Sequence, residues 1–323
     1  MKHEFSVAGC RLPVAGDLRL LVSDLWQQAT SNKQQAMGKL QIMKAEFENY
    51  HETSKNYDNT RVPIGTEILL GCFASNPCPL QEQTILDAGC GTGNYIRALD
   101  GKVGMLVGLE FNEGMLTQAR EKFQNNPNIR VDLGSLLDLP YEADTFDGIM
   151  CNQVLHHLNT EKADQENFSP VRRMLAEAYR VLRPQGVLVV NTSSHPQLFD
   201  GFWWADLIPA AVDRIARRFP RLELLVSMLE ESGFNFRGNI VPLNSVLQGG
   251  NYLDSKGPLR KNYRDGDSTW SLATNEELEH ALERVRTMNE DGSMARYLEA
   301  RETLRRNIGQ TTCVFARKDE KLS

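Results

Sequence analysis

The sequence predicts an α/β protein: a seven-stranded, mostly parallel sheet with helices on both faces. Three observations predict it. From about residue 83 to 192, short apolar runs alternate with amphipathic stretches, the pattern of parallel strands buried between helical layers. The first run ends in a glycine turn that opens into a helix start, Leu86-Asp87-Ala88-Gly89-Cys90-Gly91-Thr92-Gly93-Asn94. The third is Arg183-Pro184-Gln185-Gly186, which reads as a helix stop before another apolar run.

Taken in order, residues 1–80 read as a helical N-terminal lid. Leu18, Leu20, Leu21, Leu25 and Trp26 form one stripe at helical spacing, and Met37 to Tyr50 another. Thr53 to Pro63 is polar and turn-rich, Pro63 opens a further helix, and Asn76-Pro77-Cys78-Pro79 breaks it. The core is expected over 81–241. Its strands fall at 84–88, 104–109, 129–133, 145–151 and 186–192, with helices at 93–100, 113–124 and 168–182. A helix over 221–232 ends at Gly233, and 234–241 reads as a sixth strand. Residues 242–308 form an irregular insertion and a long charged helix over 275–308, broken near Asp291-Gly292, together capping the substrate. Residues 309–323 hold the final strand and a charged tail.

The 323 residues carry a formal net charge of −6 and no basic stripe, which argues against a nucleic-acid partner. No apolar run approaches the roughly 20 residues of a membrane span, and Met1-Lys2-His3-Glu4-Phe5 has no apolar signal region. Six scattered cysteines without a signal read as reduced thiols of a cytoplasmic protein, and no metal site is expected. Oligomeric state is not legible.

A glycine turn after the first strand lets a ligand touch the backbone, because glycine lacks Cβ. The free N–H groups of the following helix aim at that ligand. The dinucleotide fingerprint needs a third glycine where this chain has Asn94. Asp87, just before the turn, would repel a pyrophosphate and suits a ligand with cationic groups.

Asp87-Ala88-Gly89-Cys90-Gly91-Thr92-Gly93 resembles the first motif of class I S-adenosylmethionine methyltransferases. Four later segments resemble their motifs in the same order: Val107-Gly108-Leu109-Glu110; Leu139-Pro140-Tyr141 with Thr145-Phe146-Asp147; Asn152-Gln153-Val154-Leu155-His156-His157-Leu158; and Tyr179 through Gly186. The segment Asn152 to Leu158 resembles the small-molecule subgroup related to ubiquinone and menaquinone methyltransferases, and the family resemblance covers about 84–192. The resemblance implies a Rossmann-like class I fold and S-adenosylmethionine as cofactor. Glu110 would accept bonds from the ribose hydroxyls. Asp87 would act on the aminopropyl part, and Gly89, Cys90, Gly91 and Gly93 would line the turn, with Asn152 beside it. Phe111 and Met115 would flank the adenine. Ser135 stands where the subgroup carries an Asp for the adenine amino group, and the Leu136 N–H would meet the ring. Tyr57 would cap the cofactor, and Arg61 would anchor its carboxylate.

The implied activity is methyl transfer to a small-molecule acceptor by in-line displacement, with the protein mainly aligning donor and acceptor. Candidate bases are His156, His157 and His195, which follow the fourth and fifth strands. Aromatic segments after residue 192 supply the candidate acceptor residues Trp203, Trp204, Tyr252, Tyr263 and Trp270. A cofactor-binding partner subunit without catalysis and an NAD-linked oxidoreductase are the competing classes. The acceptor atom is not legible.

Overall fold

The computed structural model describes residues 61–159 and 167–320. The helical stripes expected before residue 61, and Tyr57, lie outside them. Seven strands form one sheet: β1 Thr84–Ala88, β2 Met105–Glu110, β3 Ile129–Leu133, β4 Phe146–Asn152, β5 Leu182–Thr192, β6 Phe234–Ile240 and β7 Thr312–Lys318, in the order β3-β2-β1-β4-β5-β7-β6. The first five pair in parallel. β7 enters antiparallel between β5 and β6. Its position is not legible in sequence, because an apolar run carries no mark of which neighbour it will pair with.

Period-two alternation feeds two cores. Leu86, Ile149, Cys151, Leu188 and Val190 point to one face; Ile85, Met150, Val187 and Val189 point to the other. α1 (Thr66–Phe73), α2 (Asn94–Leu99) and α3 (Glu113–Phe123) cover the second face. After β4 come the single turn α4 (Leu155–Leu158) and then α5 (Ser169–Val181), which covers the first face. Every residue of β4 is buried, as expected for a central strand flanked on both sides.

The segment Arg183-Pro184-Gln185-Gly186 differs from expectation. α5 stops at Val181, and β5 begins at once: Leu182 pairs with Phe146. The next pairing is Gly148 with Val187. Residues 183–186 are therefore looped out of the ladder, with Gln185 at φ 66. A proline cannot donate to the ladder, which explains why the strand bulges there.

Beyond β5 the chain builds α6 (His195–Asp200), α7 (Pro209–Ala216) and α8 (Leu222–Glu231), then β6. α9 (Lys261–Arg264), α10 (Ser268–Ser271), α11 (Asn275–Glu290) and α12 (Met294–Ile308) complete the cap before β7. The long charged helix is thus two helices, separated at Gly292 with φ 76. A third hydrophobic cluster holds this region together, centred on Trp203, Trp204, Ile208, Val212, Tyr252, Ala281 and Val285.

Candidate active site

The candidate residues gather at the carboxyl ends of β1, β2 and β4, where open parallel sheets bind ligands. The glycine turn follows β1. Gly89, Gly91 and Gly93 take φ of 83, 55 and 83, left-handed values that favour glycine. A Cβ on Gly93 would lie 2.4 Å from Cε2 of Phe123, so α3 sits directly on the turn. The Lys122 ammonium donates to the Thr92 carbonyl at 2.6 Å, clamping it from the same helix. The Cys90 side chain is buried in the lower core, and its backbone N–H donates to the Leu109 carbonyl.

Glu110 ends β2, and its carboxylate organises the turn. Oε2 accepts the Gly91 N–H at 2.8 Å and Oε1 accepts the Asn112 N–H at 2.7 Å. Burial raises its pKa, and these backbone bonds oppose the rise. Each carboxylate oxygen retains acceptor capacity beyond these bonds. Asn112 caps α3, accepting from Gly114 and Met115. Met115 is buried yet belongs to none of the three hydrophobic cores. Phe111 is half-buried beside it in sequence.

Asp87 is 1% exposed. Asn152 Nδ2 lies 3.5 Å from its Oδ1, while Asp87 Oδ2 and Asn152 Oδ1 have no partner. Two buried acceptors therefore lack a donor at one place. Burial pushes the Asp87 carboxyl up to about 7, despite the Asn152 amide, and the nearby Glu110 charge adds to the rise.

Ser135 already holds one bond in its own turn. Its hydroxyl accepts the Leu137 N–H at 3.2 Å within its own turn, and its main chain bridges to Asp138. The Leu136 side chain belongs to the core, leaving its backbone for the cleft.

His156 and His157 sit on α4, with ring centroids 3.9 Å apart. His156 stacks on Phe219 at 4.8 Å, and its Nδ1 is buried without a partner. Burial, aided by the positive charge of Arg218, lowers His157 to about 4 and His156 well below the ordinary value. Both are therefore neutral at physiological pH. His195 meets the same Phe219 through that residue's backbone. Its Nε2 is 3.0 Å from the Phe219 carbonyl, and it lines a separate cavity of about 370 Å³ with Asp213, Arg217 and Arg221.

The aromatic candidates divide. Trp204, Tyr263 and Trp270 line a cavity of about 140 Å³ with Arg61 and Asp267. Trp203 and Tyr252 do not line it. The Trp203 indole donates to the Tyr252 carbonyl, and the Tyr252 hydroxyl accepts the Trp203 N–H at 3.1 Å. They hold the cap together; an apolar count cannot separate such a pair from wall residues. Arg61 bonds to the cap and to α2. Its guanidinium donates to Asp267 at 2.7 Å, and its carbonyl accepts from Asn94 on α2.

Sequence reasoning missed Arg218, whose buried Nε lacks a partner, and Gln248 on the cavity wall. Neither belongs to a motif. Arg218 was visible only within the run Arg214-Ile215-Ala216-Arg217-Arg218.

Known proteins resemble the chain in part. Residues 86–190 match the family described as methyltransferase domain. A demethylmenaquinone methyltransferase of Oceanobacillus iheyensis is 30% identical over 166 residues, covering 48% of this chain and 64% of that protein. A 37.1 kDa protein of a Streptomyces fradiae transposon, itself uncharacterized, is 29% identical over 187 residues, covering 56% of this chain and 51% of that protein. The chain thus spans less than two thirds of either relative. A solved Anabaena variabilis structure, assigned as a methyltransferase of an antibiotic biosynthesis pathway, shares the fold with a TM-score of 0.63. It is 22% identical, and the match covers 80% of this chain and 98% of that one.

Proposed function

We infer that this chain, whose residues 86–190 match the methyltransferase domain family, transfers a methyl group from S-adenosylmethionine to a small-molecule acceptor. The observation that carries the reading is the pair of unpartnered buried acceptors, Asp87 Oδ2 and Asn152 Oδ1, beside the glycine turn. An ammonium group is the donor such a pair calls for, and the cofactor's amino-acid end has one. The dinucleotide alternative would set a pyrophosphate near that buried carboxyl, at an electrostatic cost.

When bound, the cofactor supplies a methyl group on a positively charged sulfur. Asp87 and Asn152 hold its ammonium, and the backbone of Gly89, Cys90, Gly91 and Gly93 lies along its chain. Glu110 accepts the ribose hydroxyls with the lone pairs not used by Gly91 and Asn112. Phe111 and Met115 flank the adenine, with the Leu136 N–H and the Ser135 hydroxyl at its edge. Tyr57, which lies outside the described residues, would cap the cofactor, and Arg61 is bound to Asp267 of the cap. Trp204, Tyr263 and Trp270 hold the acceptor, so the protein's main contribution is alignment. His156 and His157, neutral under working conditions, can each accept a proton from an acceptor that must lose one. Arg218 beside them favours the resulting negative charge. We place the enzyme in the cytoplasm, a setting in keeping with the free cysteines Cys72, Cys78, Cys90, Cys151 and Cys313. No described helix is long and apolar enough to cross a membrane.

Calorimetry of the purified chain with S-adenosylhomocysteine tests the reading. Saturable one-site binding at micromolar concentrations is expected. Its absence, with NADH binding in its place, would overturn the assignment.

A further inference from the structure

The 140 Å³ cavity in the cap has a definite chemistry. Two of its wall residues are nearly fully buried, Trp270 at 4% and Gln248 at 7% exposure. Trp270 Nε1 and Gln248 Nε2 have no acceptor. The orientation of the Gln248 amide follows from its neighbours. The Leu247 N–H donates to Gln310 Oε1 at 2.7 Å, which turns Gln310 Nε2 toward Gln248 Oε1 at 3.3 Å. The group that Gln248 has left is its NH₂, a donor, and an indole N–H can only donate. A buried donor left unmade costs about 1–3 kcal/mol, so folded proteins carry few of them. With the Tyr263 hydroxyl, which also lacks a partner and can donate or accept, three such groups belong to the walls of one aromatic cavity.

Charge narrows the ligand further. Arg61 is already paired with Asp267, and Arg260, also on the wall, is paired with Asp254. An entering anion would find those cations committed and the Asp267 carboxylate on the wall. Size narrows it again, because a cavity of about 150 Å³ holds one benzene ring.

We propose that this cavity binds an uncharged, single-ring, carbonyl-bearing group, with its ring among Trp204, Tyr263 and Trp270 and its oxygens on Trp270 Nε1 and Gln248 Nε2. As the recognition element of the methyl acceptor, it rests on the methyltransferase reading; as a binding site, it stands on the cavity alone. Arg61 connects the two places, since its carbonyl meets Asn94 at the start of α2 while its guanidinium lines the cavity.

The test is a titration of the isotope-labelled full chain, followed by the indole N–H resonances. The Trp270 signal is identified by its loss in Trp270→Phe. γ-Pyrone should move that signal downfield and saturate, and Gln248→Leu should weaken the binding roughly tenfold. Benzene and benzoate at the same concentrations should leave it unmoved. No response to γ-pyrone, or an equal response to benzene or benzoate, overturns the proposal. S-adenosylhomocysteine binding in the same samples shows that Gln248→Leu is folded. It also separates the two readings: γ-pyrone binding without S-adenosylhomocysteine binding removes the methyltransferase reading and leaves the cavity assignment standing.

Discussion

Arg61 and Asp267 stand 206 residues apart in sequence and 2.7 Å apart in space. Asp267 serves both partners: Oδ2 accepts from Arg61 while Oδ1 caps α10 through the Thr269 N–H at 2.9 Å. One carboxylate thereby fixes the segment before α1 and the floor of the cavity. Asp267→Asn should lower stability by about 1–3 kcal/mol, the cost of leaving a largely buried guanidinium without its partner. Urea unfolding measures the loss. Asp267→Ala in an Arg61→Ala background should cost clearly less than Asp267→Ala alone, as expected for a coupled pair.

Glu110 closes the glycine turn with two oxygens. Glu110→Gln has one acceptor oxygen, so it cannot serve both the Gly91 and Asn112 N–H groups. The expected result is a folded protein whose affinity for S-adenosylhomocysteine falls roughly 10–100-fold, the range for losing bonds to a charged acceptor. Calorimetry measures the affinity, and circular dichroism checks the fold.

Burial pushes the Asp87 carboxyl up to about 7. An arriving ammonium favours the ionised carboxylate, so binding should release protons near neutral pH, and affinity should climb as pH rises through 7. Calorimetry in buffers of different ionisation enthalpy reads the proton count. Linkage sets the stability trend: a raised carboxyl pKa contributes stability that is complete below about 4 and lost as pH rises toward 7. Asp87→Asn should remove both the proton release and this slope.

The histidine pair has the opposite sign. His157 is lowered to about 4, mainly by burial, so its contribution to stability is complete above about 6.5 and lost as pH falls toward 4. Its ring proton resonances should titrate near 4. A value near 6.5 would mean that the ring is solvated and that Arg218 does not face it.

The extent to which the sequence was legible follows from how local each signal is. Glu110 was readable because a strand end and a glycine turn fix its place within a short stretch of chain. The strands β1 and β3 were readable to the residue because apolar runs bounded by turns leave little choice. The antiparallel entry of β7 was not, since pairing across the sheet leaves no periodic trace. In the cap, Trp203 and Trp204 are adjacent and both buried in the core, yet only Trp204 also lines the cavity. Gln248 was invisible because its importance arises from Gln310, 62 residues away. The bond that the Ser135 hydroxyl accepts from Leu137 was not legible, because only the folded backbone forms that turn.

The antiparallel insertion of β7 imposes an order on synthesis. Val187 must wait for Arg317, and Thr192 for Thr312, before the β5 edge is covered. Until the ribosome has made the last strand, Val187-Leu188-Val189-Val190 presents an open apolar edge of the kind that recruits other chains. Among the described strands, β6, made earlier, has no neighbour in the sheet except β7. The growing chain is therefore most exposed to aggregation while the cap is being translated, and its final strand acts as the closing stitch of the sheet.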